Sequence, residues 1–142
     1  MRASVWHYDA VADVVLALDA GGTKLLGGLV TRSGEIVART QRPTPRTSAG
    51  CDPGLVELTD LAGSLAVAAS QQGHRIRGAG LGIAEYVSGD RLTSAEVFSW
   101  DRQPTELLAG HANGRVAVET DVRCAAMAEI DDELARSARP VP

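Results

Sequence analysis

The chain has 142 residues, with 14 Lys or Arg against 18 Asp or Glu, so its formal net charge is −4 with histidines neutral. The length fits one domain, and 44% hydrophobic with 23% charged residues is ordinary for a folded globule, which argues against a disordered chain. The acidic balance argues against a nucleic-acid surface, and no apolar run approaches the roughly 20 residues that span a bilayer. The start of the chain has no apolar core typical of a secretory signal, so we expect a cytoplasmic protein with neither a nucleic-acid nor a membrane partner.

The first part of the chain predicts a leader followed by a three-stranded antiparallel meander. Residues 1–13 are interpreted as a loose leader. Short apolar or alternating runs, separated by glycine-containing turns, then predict three strands. These strands are Val14–Asp19, Leu25–Thr31 and Ile36–Gln41.

The rest of the chain alternates predicted helices and strands. After a polar loop, Asp52 and Pro53 are interpreted as the N-cap and first residue of a helix that ends near Gly73, because leucine and alanine recur at three- and four-residue steps. The later predicted elements are a strand at Ile76–Ala84, a short strand or hairpin at Arg91–Ser94 within a long connection, a short helix at Pro104–Ala109, a strand at Val116–Glu119 and a helix at Val122–Ala135. This order predicts an α/β fold with a mixed five-stranded sheet and helices on both faces.

The strongest local motif is a glycine turn between the first two strands, which runs from Asp19 through Gly21, Gly22 and Thr23 to Lys24. Glycines allow backbone amides to approach an anion closely, and an aspartate at a strand end could hold Mg²⁺ through water. An ordinary hairpin turn that uses glycine for positive φ explains the same residues. Both interpretations stay open from the motif alone.

A second motif, Glu119-Thr120-Asp121, lies where a predicted strand meets a predicted helix, which is a common position for a ligand crevice in α/β sheets. Asp121 could act as a general base toward a substrate hydroxyl, and a helix N-terminus stabilises its negative charge. Taken alone, the motif favours helix capping by Thr120 or Asp121, and the two roles are compatible on neighbouring residues.

Two further features are interpreted structurally. The glycines at 78, 80 and 82 form a GxGxG pattern within a predicted strand. A dinucleotide fingerprint has its third glycine one position later, at the start of a helix, so close backbone packing is favoured here. Cys124, on a flank of the last helix, is expected to pack and not to act as a nucleophile.

Together these motifs resemble the ROK family of sugar kinases and repressors, within the actin-like and hexokinase-like ATPase superfamily. The resemblance runs from about Val14 to Ala135. It rests on LALDAGGTKLLGGLVTRSGEIV, GAGLGIAEYVSGDRLTSAEVFSW and VAVETDVRCAAMAE, in that order. It implies a ribonuclease H-like lobe over residues 14–136, between the leader and a tail at 137–142.

The resemblance also implies roles for individual residues. Asp19, Gly21, Gly22, Thr23 and Lys24 would bind ATP, with Asp19 holding Mg²⁺ through water. Asp121 would be the catalytic base. The implied sugar-binding residues are Glu96, Glu119, Thr120 and Asp121.

Three positions depart from the family pattern. Glu85-Tyr86 stands at the family's Pro-Gly, the sugar-binding Asn falls near Glu96, and Thr120 replaces the Asn of its E-N-D sequence. We therefore expect a polyhydroxylated substrate that need not be glucose, since a site whose amide donors and acceptors change need not keep its substrate.

The family's second lobe, with another phosphate loop, an adenosine pocket and a zinc site, has no counterpart after residue 136. The primary hypothesis is the N-terminal lobe of an ATP-dependent, glucokinase-like sugar kinase, inactive alone and completed by a second lobe or a second copy of the chain. The alternatives are a non-catalytic sugar-sensing or interaction module, and a free-standing α/β domain with accidental motifs.

Overall fold

The computed structural model describes residues 11–46 and 53–137, which form one main sheet, a small hairpin and flanking helices. The strands are β1 (Asp13–Ala20), β2 (Lys24–Thr31), β3 (Ile36–Pro43), β4 (Arg75–Ile83), β5 (Val87–Ser88), β6 (Arg91–Leu92) and β7 (Val116–Thr120). The helices are α1 (Pro53–Gln71), α2 (Pro104–Leu108) and α3 (Asp121–Ser137), with a 3₁₀ turn at Ala109–His111.

The main sheet has the order β3-β2-β1-β4-β7 and is mixed, as predicted. The first three strands pair antiparallel, whereas β1 with β4 and β4 with β7 pair parallel. The parallel strands therefore place their carboxyl ends at one edge of the sheet.

One face of the sheet carries the core, because alternate residues of β1 are buried. Leu16 and Leu18 point to this face, where α1 packs with Leu58, Leu61 and other leucines. Burial of these leucines is the main stabilising contribution, at roughly 1.5–3 kcal/mol for each side chain. Gly27 of β2 lets α1 approach, since a Cβ there would lie 2.3 Å from Leu61 Cδ2.

The opposite face is covered only in part, by α3. The space beside Gly82 of β4 is taken by Cys124 Sγ, 3.3 Å from where a Cβ would stand. Helices therefore lie on both faces, as expected. Within the described residues α3 leaves apolar side chains of its predicted helix face uncovered, because Val122 is 76% exposed and Ile130 is 58% exposed.

The connection between β4 and α2 is fixed by buried polar groups. The predicted strand or hairpin at Arg91–Ser94 is the β5–β6 hairpin. Gln103 is buried and accepts a hydrogen bond from Leu92 N–H at 2.8 Å through Oε1.

The element boundaries differ slightly from those predicted. β1 starts at Asp13, and Arg75 N–H donates to the Ala12 carbonyl, so residues 12 and 13 join the sheet and are not part of a loose leader. Pro53 opens α1 as predicted, whereas the proposed N-cap Asp52 lies outside the described residues. No helix in the described ranges is long and apolar enough to cross a membrane.

Candidate active site

Most of the predicted site residues meet at the carboxyl edge of the parallel strands. Asp19 of β1 pairs with Gly82 of β4, and Gly82 pairs with Glu119 of β7. Two strand spacings separate the backbones of Asp19 and Glu119 by about 10 Å. Both carboxylates leave the sheet on the face that carries α3, opposite the hydrophobic core.

The thiol of Cys124 is influenced by three nearby carboxylates. Burial raises the pKa of the Cys124 thiol, and the negative charges of Glu119, Asp19 and Asp121 raise it further. A thiol held neutral in this way is a poor nucleophile. The finding supports the packing role expected for Cys124. The geometry agrees, because Cys124 Sγ and Asp121 Cα lie 3.3 and 3.8 Å from the point where a Cβ of Gly82, the strand partner of Asp19 and Glu119, would stand.

The glycine turn does not use glycine for positive φ. In the described ranges, positive φ occurs at Gly34, Gly73, Gly89, Gly114 and Asn113, but not at Gly21 or Gly22. The hairpin explanation based on positive φ was therefore wrong.

Steric crowding does not require these two glycines either. A Cβ at Gly21 would lie 3.4 Å from the Lys24 carbonyl oxygen, and one at Gly22 would lie 3.5 Å from Val97 Cγ1. Both are ordinary contacts. The fold thus tolerates alanine at positions that the phosphate hypothesis reserves for glycine.

Hydrogen bonds within the glycine turn and from Thr44 hold its backbone, and they determine which backbone amides stay available to a ligand. Gly21 N–H donates to the Lys24 carbonyl at 3.0 Å, so this amide is engaged within the turn. Thr44 donates from its amide to the Thr23 carbonyl at 3.0 Å and from its hydroxyl to the Gly21 carbonyl at 2.7 Å. Among the described residues, the amides of Gly22 and Thr23 have no backbone acceptor, so they are the donors available to an anion.

The Glu119-Thr120-Asp121 motif combines capping with an available carboxylate. Thr120 Oγ1 accepts from Arg123 N–H at 3.3 Å, the bond of an N-cap, and Asp121 Oδ1 accepts from Val122 N–H at 2.8 Å. Glu119 accepts from Thr120 N–H and forms an ion pair with Arg123 at 3.5 Å. The capping expectation is confirmed for Thr120, while Asp121 is half-buried beside the site.

Glu96 lies in the irregular Ser94–Phe98 segment, and its side chain is exposed. The neighbouring Val97 contacts the space beside Gly22, so the segment adjoins the glycine turn. The backbone of the segment is held by Glu85, which is only 6% exposed. In the sequence, Glu85 stands out only as a departure from the family pattern. Its structural role is not visible there, because its hydrogen-bond partners follow 9 to 13 residues later in the chain.

Close packing explains two of the three glycines in β4. A Cβ at Gly78 would lie 3.1 Å from the Arg115 carbonyl oxygen, and the Gly82 position is closed by Cys124. Nothing lies within 4 Å of the corresponding point at Gly80. The packing interpretation is confirmed at Gly78 and Gly82 and gives no account of Gly80.

No group of three or more His, Cys, Asp or Glu side chains in the described ranges is arranged to hold a metal ion. Mg²⁺ bound to a nucleotide needs only one or two carboxylates besides phosphate and water. Asp19, exposed directly before the glycine turn, matches that smaller requirement.

Comparison with known proteins gives a consistent result. The ROK family model matches residues 15–141. The chain is 32% identical over 119 residues to a glucokinase of Streptomyces coelicolor, and this match covers 82% of the chain and 35% of the enzyme. It is 35% identical over 79 residues to an N-acetylmannosamine kinase of Yersinia pseudotuberculosis, covering 56% of the chain and 24% of that kinase.

A solved structure supports the fold. The ROK glucokinase of Streptomyces griseus, in complex with glucose and AMPPNP, matches with a TM-score of 0.58 and 29% identity, over 80% of this chain and 35% of that one. The predicted actin-like ATPase type of mixed sheet is thereby confirmed. The chain spans about a third of the length of these relatives.

Proposed function

Because this chain belongs to the ROK family, we propose that it is the N-terminal lobe of an ATP-dependent sugar kinase. The observation that carries the proposal is the position of Asp19, Glu119 and Asp121 around Gly82 at the carboxyl edge of the sheet, beside a glycine turn whose glycines the fold itself does not need. A site for phosphoryl transfer needs backbone donors for phosphate and carboxylates for metal and hydroxyl groups in this kind of proximity.

The glycine turn fits a nucleotide phosphate. Gly22 and Thr23 offer two amides, the Thr23 hydroxyl adds a donor, and Lys24 can add a cation. Gly21 shapes the turn without donating outward, because its amide is engaged with Lys24. Asp19 would hold Mg²⁺ through water. ATP supplies the phosphoryl group, and Mg²⁺ neutralises part of its charge.

In this proposal Asp121 takes a proton from a sugar hydroxyl. One of its oxygens accepts from Val122 N–H, which fixes the carboxylate and leaves the second oxygen for the substrate. A carboxylate is a weak base, but loose phosphoryl-transfer transition states require little basic assistance.

Glu96, Glu119 and Thr120 would bind other hydroxyls of a polyhydroxylated sugar. The Thr120 hydroxyl already accepts from Arg123 N–H, so its own proton is free to be donated to the sugar. A threonine offers fewer hydrogen-bonding groups than the asparagine of the family pattern, and for this reason we do not restrict the substrate to glucose.

Phosphoryl transfer needs the nucleotide clamped and water excluded, which a second lobe provides. The chain spans 35% of the Streptomyces coelicolor glucokinase. We therefore propose that these 142 residues alone release no measurable ADP.

The test is a chimera in which residues 15–137 replace the matching part of the Streptomyces coelicolor glucokinase. ADP release is measured over a panel that includes glucose and N-acetylmannosamine. We expect activity with at least one sugar and a loss of at least about 100-fold in kcat for Asp121→Asn. Asp131→Asn changes an exposed aspartate on the same helix and should leave kcat unchanged.

A folded chimera that neither binds nor phosphorylates any sugar would contradict the proposal. A chimera that binds sugar in calorimetry but releases no ADP would instead favour the second candidate, a sugar-sensing module. The observation that favours this candidate is the change of two family positions in the connection after β4: Glu85-Tyr86 stands at the family's Pro-Gly, with Glu85 buried, and Glu96 stands near its sugar-binding Asn.

A further inference from the structure

The Ser94–Phe98 segment has neither helical nor sheet structure, yet three of its backbone amides donate hydrogen bonds. Three successive amides, those of Glu96, Val97 and Phe98, point at the Glu85 carboxylate at 3.0, 2.6 and 2.7 Å. The Ser94 hydroxyl donates to the same carboxylate. This arrangement is an anion-binding nest occupied by a side chain of the same protein.

Other bonds tie the nest to its surroundings. Ser94 Oγ accepts from Tyr86 N–H at 2.8 Å, and Trp100 Nε1 donates to the Ser94 carbonyl at 2.6 Å. Phe98 is 1% exposed and anchors the end of the segment in the core. The carboxylate thus lies at the centre of a network that links the end of β4 with residues 94–100.

The segment borders the glycine turn. Val97 Cγ1 lies 3.5 Å from the point where a Cβ of Gly22 would stand. Whatever fixes the backbone at Val97 therefore fixes an apolar wall beside the proposed phosphate site. Glu85 supplies that fixation, because its Oε1 accepts from both Val97 and Phe98.

We propose that Glu85 is a positioning residue that holds the Ser94–Phe98 segment closed against the glycine turn with no ligand present. By occupying the nest, it also withdraws the three amides from any substrate. Sugar recognition by this segment then depends on side chains such as Glu96. That last consequence rests on the proposed function, whereas the ordering of the segment does not.

Charge is essential to this role. Burial alone would raise the pKa of Glu85, but hydrogen bonds from Phe98 N–H, the Ser94 hydroxyl and the amides of Glu96 and Val97 outweigh burial and lower it. The nest therefore binds the anion in preference to the neutral acid. A small carboxylate from solution should replace the side chain when Glu85 is truncated, whereas an apolar filler should not.

The experiment uses limited trypsin digestion of the full 142-residue chain, with the products identified by mass spectrometry. Arg91 and Arg102 flank the segment, and Arg32, in the exposed β2–β3 turn at the far end of β1, is the internal control. We expect Glu85→Ala to increase cleavage at Arg91 and Arg102 about tenfold relative to Arg32, because several charge-assisted hydrogen bonds are lost. Glu85→Gln keeps the size but not the charge and should give an intermediate increase.

The decisive measurement is rescue. Sodium formate should restore protection in Glu85→Ala, and sodium chloride at equal ionic strength should not. In a Trp6→Phe background Trp100 is the one tryptophan, since the chain has two, and its emission should shift in Glu85→Ala and return with formate.

Unchanged cleavage in Glu85→Ala would overturn the proposal, as would increased cleavage that formate and chloride affect equally. If Glu85→Ala does not fold, the cleavage ratio is measured in Glu85→Gln and Ser94→Ala. A rise in that ratio supports the proposal and an unchanged ratio refutes it. No sugar or nucleotide takes part, so this result is independent of the kinase assay.

Discussion

Alanine substitution should lower the free energy of unfolding at Gly27 but not at Gly22, because only Gly27 is needed for packing. At Gly27 a Cβ would lie 2.3 Å from Leu61 Cδ2, 2.7 Å from Leu65 Cδ1 and 3.2 Å from Leu18 Cδ2. Carbon atoms pack at about 3.5–4.0 Å, so the Leu61 methyl must retreat by more than about 1 Å. Leu61 is 0% exposed, so its methyl can move only within the packed core.

Overpacking of this kind costs about 1–3 kcal/mol, and a Gly→Ala change recovers about 0.4–1 kcal/mol from the unfolded chain. These ranges give a net loss of between about 0 and 2.6 kcal/mol for Gly27→Ala. Gly22→Ala meets only an ordinary contact, so its free energy of unfolding should stay equal or rise by up to about 1 kcal/mol.

Urea unfolding followed by far-ultraviolet circular dichroism measures both effects. Gly80→Ala, with open space at its Cβ position, is the matched control within the sheet. Leu61→Val removes the nearest clashing atom, Leu61 Cδ2, although the contact with Leu65 Cδ1 remains. The double variant with Gly27→Ala should therefore be more stable than the sum of the single effects by at least about 0.5 kcal/mol. Additive effects, or a Gly27→Ala variant as stable as Gly80→Ala, would refute the packing argument.

Three further predictions concern the acidic end of the sheet and its connection. Thr120→Ala should lower the free energy of unfolding by about 0.5–2 kcal/mol in thermal or urea unfolding because it removes the N-cap of α3, whereas Thr120→Asn should keep it. Cys124, in a Cys51→Ser background, should react with iodoacetamide near pH 8 more slowly than a model peptide thiol, because burial and the nearby acids raise its pKa. Glu119→Gln should speed that reaction, and an unchanged rate would contradict the charge arrangement. The Glu85 carboxylate has a lowered pKa in the folded state, so its stabilising contribution is complete above the unfolded value near ~4.3 and is lost as the pH falls through the folded pKa. The stability difference between wild type and Glu85→Gln should accordingly be constant near neutral pH and shrink below about pH 4, and a difference that grows on acidification would contradict this sign.

Local patterns were sufficient to predict most of the sheet and the first helix. Alternation in β1 and leucine spacing in α1 specify both the element and the face that it buries, since each pattern is complete within one segment. The helix at α3 was predicted just as well, but its buried face was not. Periodicity identifies an apolar stripe and says nothing about which surface covers it, and Val122 and Ile130 remain exposed in the described chain.

Local sequence patterns also predict only part of the candidate site. Asp19 and Asp121 could be selected from strand and helix ends, because the carboxyl edge of a parallel sheet gathers such residues whatever the loops do. Glu85 could not be selected. Its partners Val97 and Phe98 follow 12 and 13 residues later in a segment without regular structure, and only the folded backbone shows that their amides converge.

Two groups of carboxylates lie near this edge of the sheet, Glu85 on one side and Asp19 with Glu119 and Asp121 on the other. Their surroundings differ, and this difference separates their roles. The Glu85 carboxylate is buried and accepts hydrogen bonds from three backbone amides and the Ser94 hydroxyl, so its charge acts within the fold. Asp19 is exposed beside the glycine turn, and together with Glu119 and Asp121 it adds negative potential where the proposed phosphate would bind. Like charges at such short range oppose the binding of a bare polyphosphate. Under the proposed function, a divalent cation is therefore needed for the acids and the glycine turn to act on one ligand. The side chain of Asp19 is exposed and so is available to that cation, whereas a purely structural carboxylate would be expected to be buried and hydrogen-bonded.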